Sequence, residues 1–351
     1  MSPSTDSNGQ SGFSMVELLI SLCIMLLVTG SVMSLCRDAF RTSITTFEMT
    51  DAQESLRTAQ EYINRDLITA GDGMRGLNNT CVRLAFVTNY LTKNPGNNAC
   101  GAGLVNLPLI HSDNNVPAGT AVIGAVPATN VRSVPSVTDR IVILQLDPAF
   151  TPIPVAANAI TGSGLNIKVS AADFARVNGG EIYFITSSVG STFGTITGKN
   201  AGTSTLSFAA TDTCGLNQPV VNGPIDLVSG AGTQAASIMR MRIINYFVSD
   251  TGLLVRRTFG VSGSVGFTDS VIAEHVASLQ FRYVLGPDGD GLVPQPVPQL
   301  INSDQQSAVR AVEVTVTTET AHADTKGKTQ TISMTTTTGV RNLQFLESLQ
   351  P

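Results

Sequence analysis

Tryptophan is absent from this 351-residue chain, aromatic residues make up 5% of it, and charged residues only 13%. That charge content is about half the ~25% of an average soluble protein. Scarce aromatics leave few platforms on which bases could stack. A net charge of -5 argues against a dedicated nucleic-acid surface. Histidine is equally sparse: His111, His275 and His322 stand far apart, with no paired spacing. No HExxH, CxxC or Walker loop is present, and no Ser sits in a G-x-S-x-G elbow. The sequence therefore points to no catalytic constellation, and an enzyme is not the expectation.

What the chain does have is one long uncharged run. From Leu18 to Cys36 Leu, Ile, Met and Val dominate, and no residue carries a charge. That is close to the ~20 residues a helix needs to cross a hydrocarbon core. Glu17 stands at its head. A carboxylate near the centre of a bilayer costs ~2.5–3.5 kcal/mol on insertion scales, and less near an interface. Such a residue needs a partner, and an amine created by cutting the chain before Phe13 would supply one. A secretory signal peptide is the plainer reading. It would show a basic n-region, an apolar core of ~7–15 residues and a small-residue cleavage site behind it. Here the apolar run is longer, and Met1 to Gly12 holds Asp6 but no Lys or Arg.

Beyond the apolar run Phe40, Ile44, Phe47, Ala52, Leu56, Ala59, Ile63 and Leu67 recur mostly three or four residues apart. Arg and Glu fall largely between them, as on an amphipathic helix. Gly71-Asp72-Gly73 supplies a stop. One helix from Phe13 to about Ala70 would span ~87 Å. Short alternating runs then predict strands at Val82–Val87, Asp139–Leu146, Leu165–Val169, Glu181–Ser187 and Ser204–Phe208. Further runs follow at Ile238–Val248, Gly252–Phe259, Ala277–Leu285, Val309–Thr320 and Gln330–Val340. Stretches around Gly96–Pro135 and Gly190–Gly202 are rich in Gly, Asn, Pro, Ser and Thr and predict surface loops. The fold class expected is α+β: a long N-terminal helix packed on an antiparallel β-rich head.

Gly12-Phe13-Ser14-Met15 with Glu17, followed by the apolar run, resembles the prepilin cleavage and methylation signature of type IV pilins and type II secretion pseudopilins. The resemblance implies that a membrane aspartyl prepilin peptidase cuts between Gly12 and Phe13 and methylates Phe13. It implies that Glu17 is the assembly carboxylate, pairing with the terminal amine of a neighbouring subunit. Asn64 to Gly71 looks like the Arg-Asp…Ala-Gly helix end of PilW-like minor pilins and J-type pseudopilins. Tyr246-Phe247-Val248, Gly252 to Arg257, and Glu274 to Tyr283 resemble the strands that follow in those proteins. The stretch from about Gly96 to Gly230 has no such echo.

The layout this implies is a leader over 1–12, a membrane half of the helix over 13–36 and an amphipathic half over 37–71. A pilin-like head fills 72–351, with an enlarged insertion at about 96–230. The implied function is that of a minor pilin of a type IV pilus, acting in filament assembly or initiation near the tip. A J-type pseudopilin of a type II secretion system, which is usually shorter, is the alternative. A tip or membrane-anchored adhesin, using the 96–230 region, is another; a soluble fragment from about Asp72 would test it. The implied partners are prepilin peptidase, other pilins or pseudopilins, an inner-membrane assembly platform and lipid. The implied location is the inner membrane, in a single pass with a periplasmic head, and then a pilus or pseudopilus.

Two local features stay open. Cys81 and Cys100 lie beside similar turn-like stretches, and a bridge between them would contribute ~3 kcal/mol. Cys214 would then be unpaired, unless it displaces one of the two. Asp288 and Asp290, in Pro287-Asp288-Gly289-Asp290-Gly291, offer oxygens of the kind Ca²⁺ takes, although a hairpin turn explains the same residues. No other cofactor is expected.

Overall fold

A computed structural model describes residues 14–72, 74, 81–91, 103–107, 109–116, 137–161, 165–188, 191–210, 212, 214–217, 235–261, 266–286, 295–301, 303–322 and 328–340. The chain divides into two units. One holds Met1–Asp51 with Thr320–Gln330; the other holds Ala52–Glu319 with Thr331–Pro351.

The first element, α1, runs unbroken over Met15–Ile68. Within the first unit its residues are almost all exposed, and the turn at Thr320–His322 meets it through His322, whose Nδ1 lies 2.5 Å from Glu48 Oε1. Within the second unit the stripe expected from the sequence is buried at Leu56, Ala59, Ile63 and Leu67. The helix stops at Gly71, whose φ of +71° suits glycine and whose N–H donates to Leu144 O at 2.9 Å.

The second unit is built on antiparallel sheet. Its central strands are β3 (Ile110–Val116), β4 (Thr138–Leu146), β12 (Ala236–Val248), β13 (Leu254–Phe259) and β14 (Phe267–Ala273), in the order β14-β13-β12-β4-β3. The N-terminal end of β12 also pairs with β5 (Ile153–Val155) and β8 (Ile182–Ser187), and β8 pairs with β9 (Ser191–Thr195). A second sheet joins β15 (Val276–Leu285), β16 (Val309–Glu319) and β17 (Thr331–Gly339). Tyr246 on β12 and Val314 on β16 lie with the buried helix residues in one apolar core. A small sheet of β10 (Gly198–Asn200), β11 (Thr205–Ser207), β7 (Asn166–Lys168) and β6 (Ile160–Thr161), in that order, contributes to a second core around Ile153, Ile167, Tyr183, Ile196 and Phe208. Asp139 ties the two sheets together, accepting from Asn115 N at the β3 bulge and from Phe281 N on β15, both at 2.8 Å.

Three expectations are corrected. Val82–Val87 is not a strand: β1 covers only Cys81–Arg83, and a helix, α2, follows over Leu84–Tyr90. Val82, Phe86, Val87 and Leu91 are buried at spacings that suit helical turns better than alternation. The Gly96–Pro135 stretch is not all surface loop, because β2 (Leu104–Asn106) and the mostly buried β3 lie in it. Nor is Gly190–Gly202, which contains the fully buried β9. Polar composition misleads there because the polar groups are paired inside. Arg140 binds Asp113 with Nε at 2.9 Å and with Nη2, and the Asn217 side chain bonds Thr195 N at 2.8 Å and O at 2.6 Å.

Candidate functional site

α1 is long and apolar enough to cross a membrane. Its first residues expose their side chains: Leu18 is 58% exposed, and both Leu27 and Leu35 are 73% exposed. In hydrocarbon every polar group must be satisfied internally. Three hydroxyls of this segment meet that demand: Ser21 donates to Leu18 O, Thr29 to Met25 O and Ser31 to Leu27 O, at 2.7–2.9 Å. Glu17 lies exposed in the first turn, where the unpaired N–H groups favour a carboxylate by about 0.3–1 kcal/mol. Gly12 and Phe13 lie outside the described residues. Past the uncharged run Phe40, Ile44 and Phe47 form an apolar line on α1 and remain 71%, 52% and 73% exposed.

The C-terminal part of α1 is seated by polar groups as well as by apolar ones. Asp66 is buried and accepts from Tyr246 Oη at 2.5 Å and from Arg256 Nε at 2.6 Å. Arg256 Nη2 reaches its second oxygen at 3.3 Å. Burial, and then the Asp66 charge, push the Tyr246 hydroxyl above the usual phenol range. Burial works against the Arg256 charge, but Asp66 outweighs it and the net shift is upward. Gln145 extends the group when Nε2 donates to Thr69 Oγ1 at 2.6 Å and Oε1 accepts from Arg242 Nε and Nη2 at 3.0 and 2.7 Å. At the sheet edge Gln60 Nε2 donates to Met334 O at 2.8 Å, and Thr338 Oγ1 donates to Asn64 Oδ1 at 2.6 Å. Asp66, Tyr246 and Arg256 thus meet from three of the stretches singled out in the sequence. That they meet was not legible there, since long-range partnership leaves no local pattern.

Among the described residues no group of three or more His, Cys, Asp or Glu side chains is placed to hold a metal ion. The histidines sit on separate elements: His111 is buried on β3, His275 lies between β14 and β15 at φ +55°, and His322 faces Glu48. Cys214 is buried, and its thiol is pushed up to about 12 by burial and by the nearby Asp212 charge. Cys81 opens β1, while Cys100, Asp288 and Asp290 lie outside the described residues. A shallow groove of about 450 Å³ runs beside the seated helix, between Arg57, Glu61 and Arg65 and the Met334 side chain. Comparison with protein-family models, with curated proteins and with solved structures finds no match to this chain.

Proposed function

We propose that the chain is a minor pilin of a type IV pilus, trimmed between Gly12 and Phe13 and taken up into the filament at or near its tip. The observation that carries this reading is the two-part helix. An apolar, exposed half with a carboxylate in its first turn continues into a half seated in a β-rich head. The first half holds the protein in the inner membrane, with the head in the periplasm and the region of about 96–230 enlarging a pilin-like head. Leaving the bilayer for a filament would bury Glu17 among other helices. An isolated buried charge costs several kcal/mol, whereas a neighbour's Phe13 amine neutralises it and fixes the axial register.

N-terminal sequencing of membrane-extracted protein tests the reading directly. A peptide beginning at methylated Phe13 is expected; functional molecules that all keep Met1 would overturn it. Glu17→Ala should leave cleavage intact and reduce co-assembly with other pilins. Normal incorporation of that variant would refute the pairing.

A further inference from the structure

Register places a row, polar at every position but Val142, on one face of the central sheet. His111, Val142, Asn245, Arg257 and Asp269 are successive partners across β3, β4, β12, β13 and β14. Tyr246, the next residue on β12, reaches Asp66 on α1, so Asn245 points from the opposite face. The interior of the row is closed from water: Asn245 is 5% exposed and Arg257 2%.

Its hydrogen bonding is incomplete. Arg257 gives Nε and Nη2 to Asp269, both at 2.7 Å, and keeps Nη1 without a hydrogen bond. The Phe267 and Phe247 rings hold that guanidinium, 3.9 and 5.3 Å from its central carbon. Arg140 gives Nε and Nη2 to Asp113 and likewise keeps Nη1 unbonded. Asn245 lies directly across from Arg257 and one strand over and two residues along from Arg140, and neither amide atom of its side chain is bonded. Diagonal neighbours ~7–8 Å apart are within reach of long side chains. Buried polar groups are nearly always satisfied, so three orphan donors on neighbouring positions require an account.

Charge indicates the kind of partner. The Arg257 side chain is 3% exposed, but that of Asp269 is 35% exposed. Water screens the carboxylate more than the guanidinium, so a residual positive potential remains inside the sheet face. We propose that this row binds a small monovalent anion, chloride or a carboxylate of acetate size, between Asn245 Nδ2 and the Nη1 groups of Arg257 and Arg140. A water held beside it would donate to Asn245 Oδ1.

The test uses the full chain in detergent, with thermal unfolding followed at fixed pH and ionic strength in sodium chloride, acetate or gluconate. Gluconate is too bulky for such a site. Binding to the folded state alone should raise Tm by about 3 °C in chloride or acetate over gluconate. A response to chloride alone still supports the site and restricts it to halide. Asn245→Leu should abolish the difference, and Asn245→Ser serves if the leucine variant does not fold. Crystals grown in bromide should show an anomalous peak within hydrogen-bonding distance of Asn245. Equal Tm in the three salts, or an undiminished anion response in both variants, would overturn the proposal.

Discussion

Asp66 keeps a buried carboxylate in the head because Arg256 and Tyr246 converge on it from two neighbouring strands. Removing one member of such a pair strands the other without a partner, at a cost of ~3–5 kcal/mol. Asp66→Ala should lower the urea midpoint accordingly, while Tyr246→Phe, which deletes one hydrogen bond, should cost about 1–2 kcal/mol. A fall in midpoint with an unchanged slope is the measurement that supports this. Asp139 is also buried but accepts only from backbone N–H groups, with no cationic partner among the described residues. Burial raises its carboxyl from 3.8 to about 6, against the lowering influence of the Asn115 and Phe281 N–H groups. The native state therefore holds this proton where the unfolded chain releases it, and stability drains away as pH rises from about 4 to 6. The effect is on the order of a few kcal/mol. The urea midpoint of wild type, followed across that window, should fall relative to that of Asp139→Asn as pH rises. A pH-independent difference would show that Asp139 does not titrate there. Residues of this kind stood in plain view in the sequence, but Tyr246 lies 180 positions from Asp66 and nothing local joins them.

At the scale of elements the sequence was most legible where period and length agreed. α1 was expected to about Ala70 and ends at Ile68; β4, β12, β15, β16 and β17 fall within two residues of their expected bounds. The threonine-rich alternation of β17 does make a half-exposed edge strand, its hydroxyls meeting those of β16 at 2.8 Å. β3 and β9 were illegible because Asp113, Ser112 and Thr195 read as loop residues until their buried partners are known. The junction after α1 is a tightly constrained turn. A Cβ on Gly71 would lie 2.3 Å from Leu109 Cδ1, on a backbone already at positive φ. Gly71→Ala should destabilise the protein by about 1–3 kcal/mol, read as a lower Tm by circular dichroism.

For the whole molecule, the distribution of charge about the apolar run matters. Residues 1–12 hold Asp6 and no Lys or Arg, whereas Arg37 and Arg41 follow the run closely. Positive residues favour the cytoplasmic side, although long domains translocate largely regardless of them. On the proposed orientation, with the head outside the cytoplasm, the charges that flank the run on its two sides oppose insertion. Asp6→Lys should therefore raise the fraction of molecules whose head is accessible to protease in spheroplasts.

Leu56, Ala59, Ile63 and Leu67 belong to the core that β12 and β16 complete. Any recombinant version meant for crystallisation or ligand screening must keep them, starting near Ala52 rather than at Asp72. A shorter product would open a greasy trough and uncap the Met334 carbonyl that Gln60 covers on β17. Inclusion bodies would be its fate.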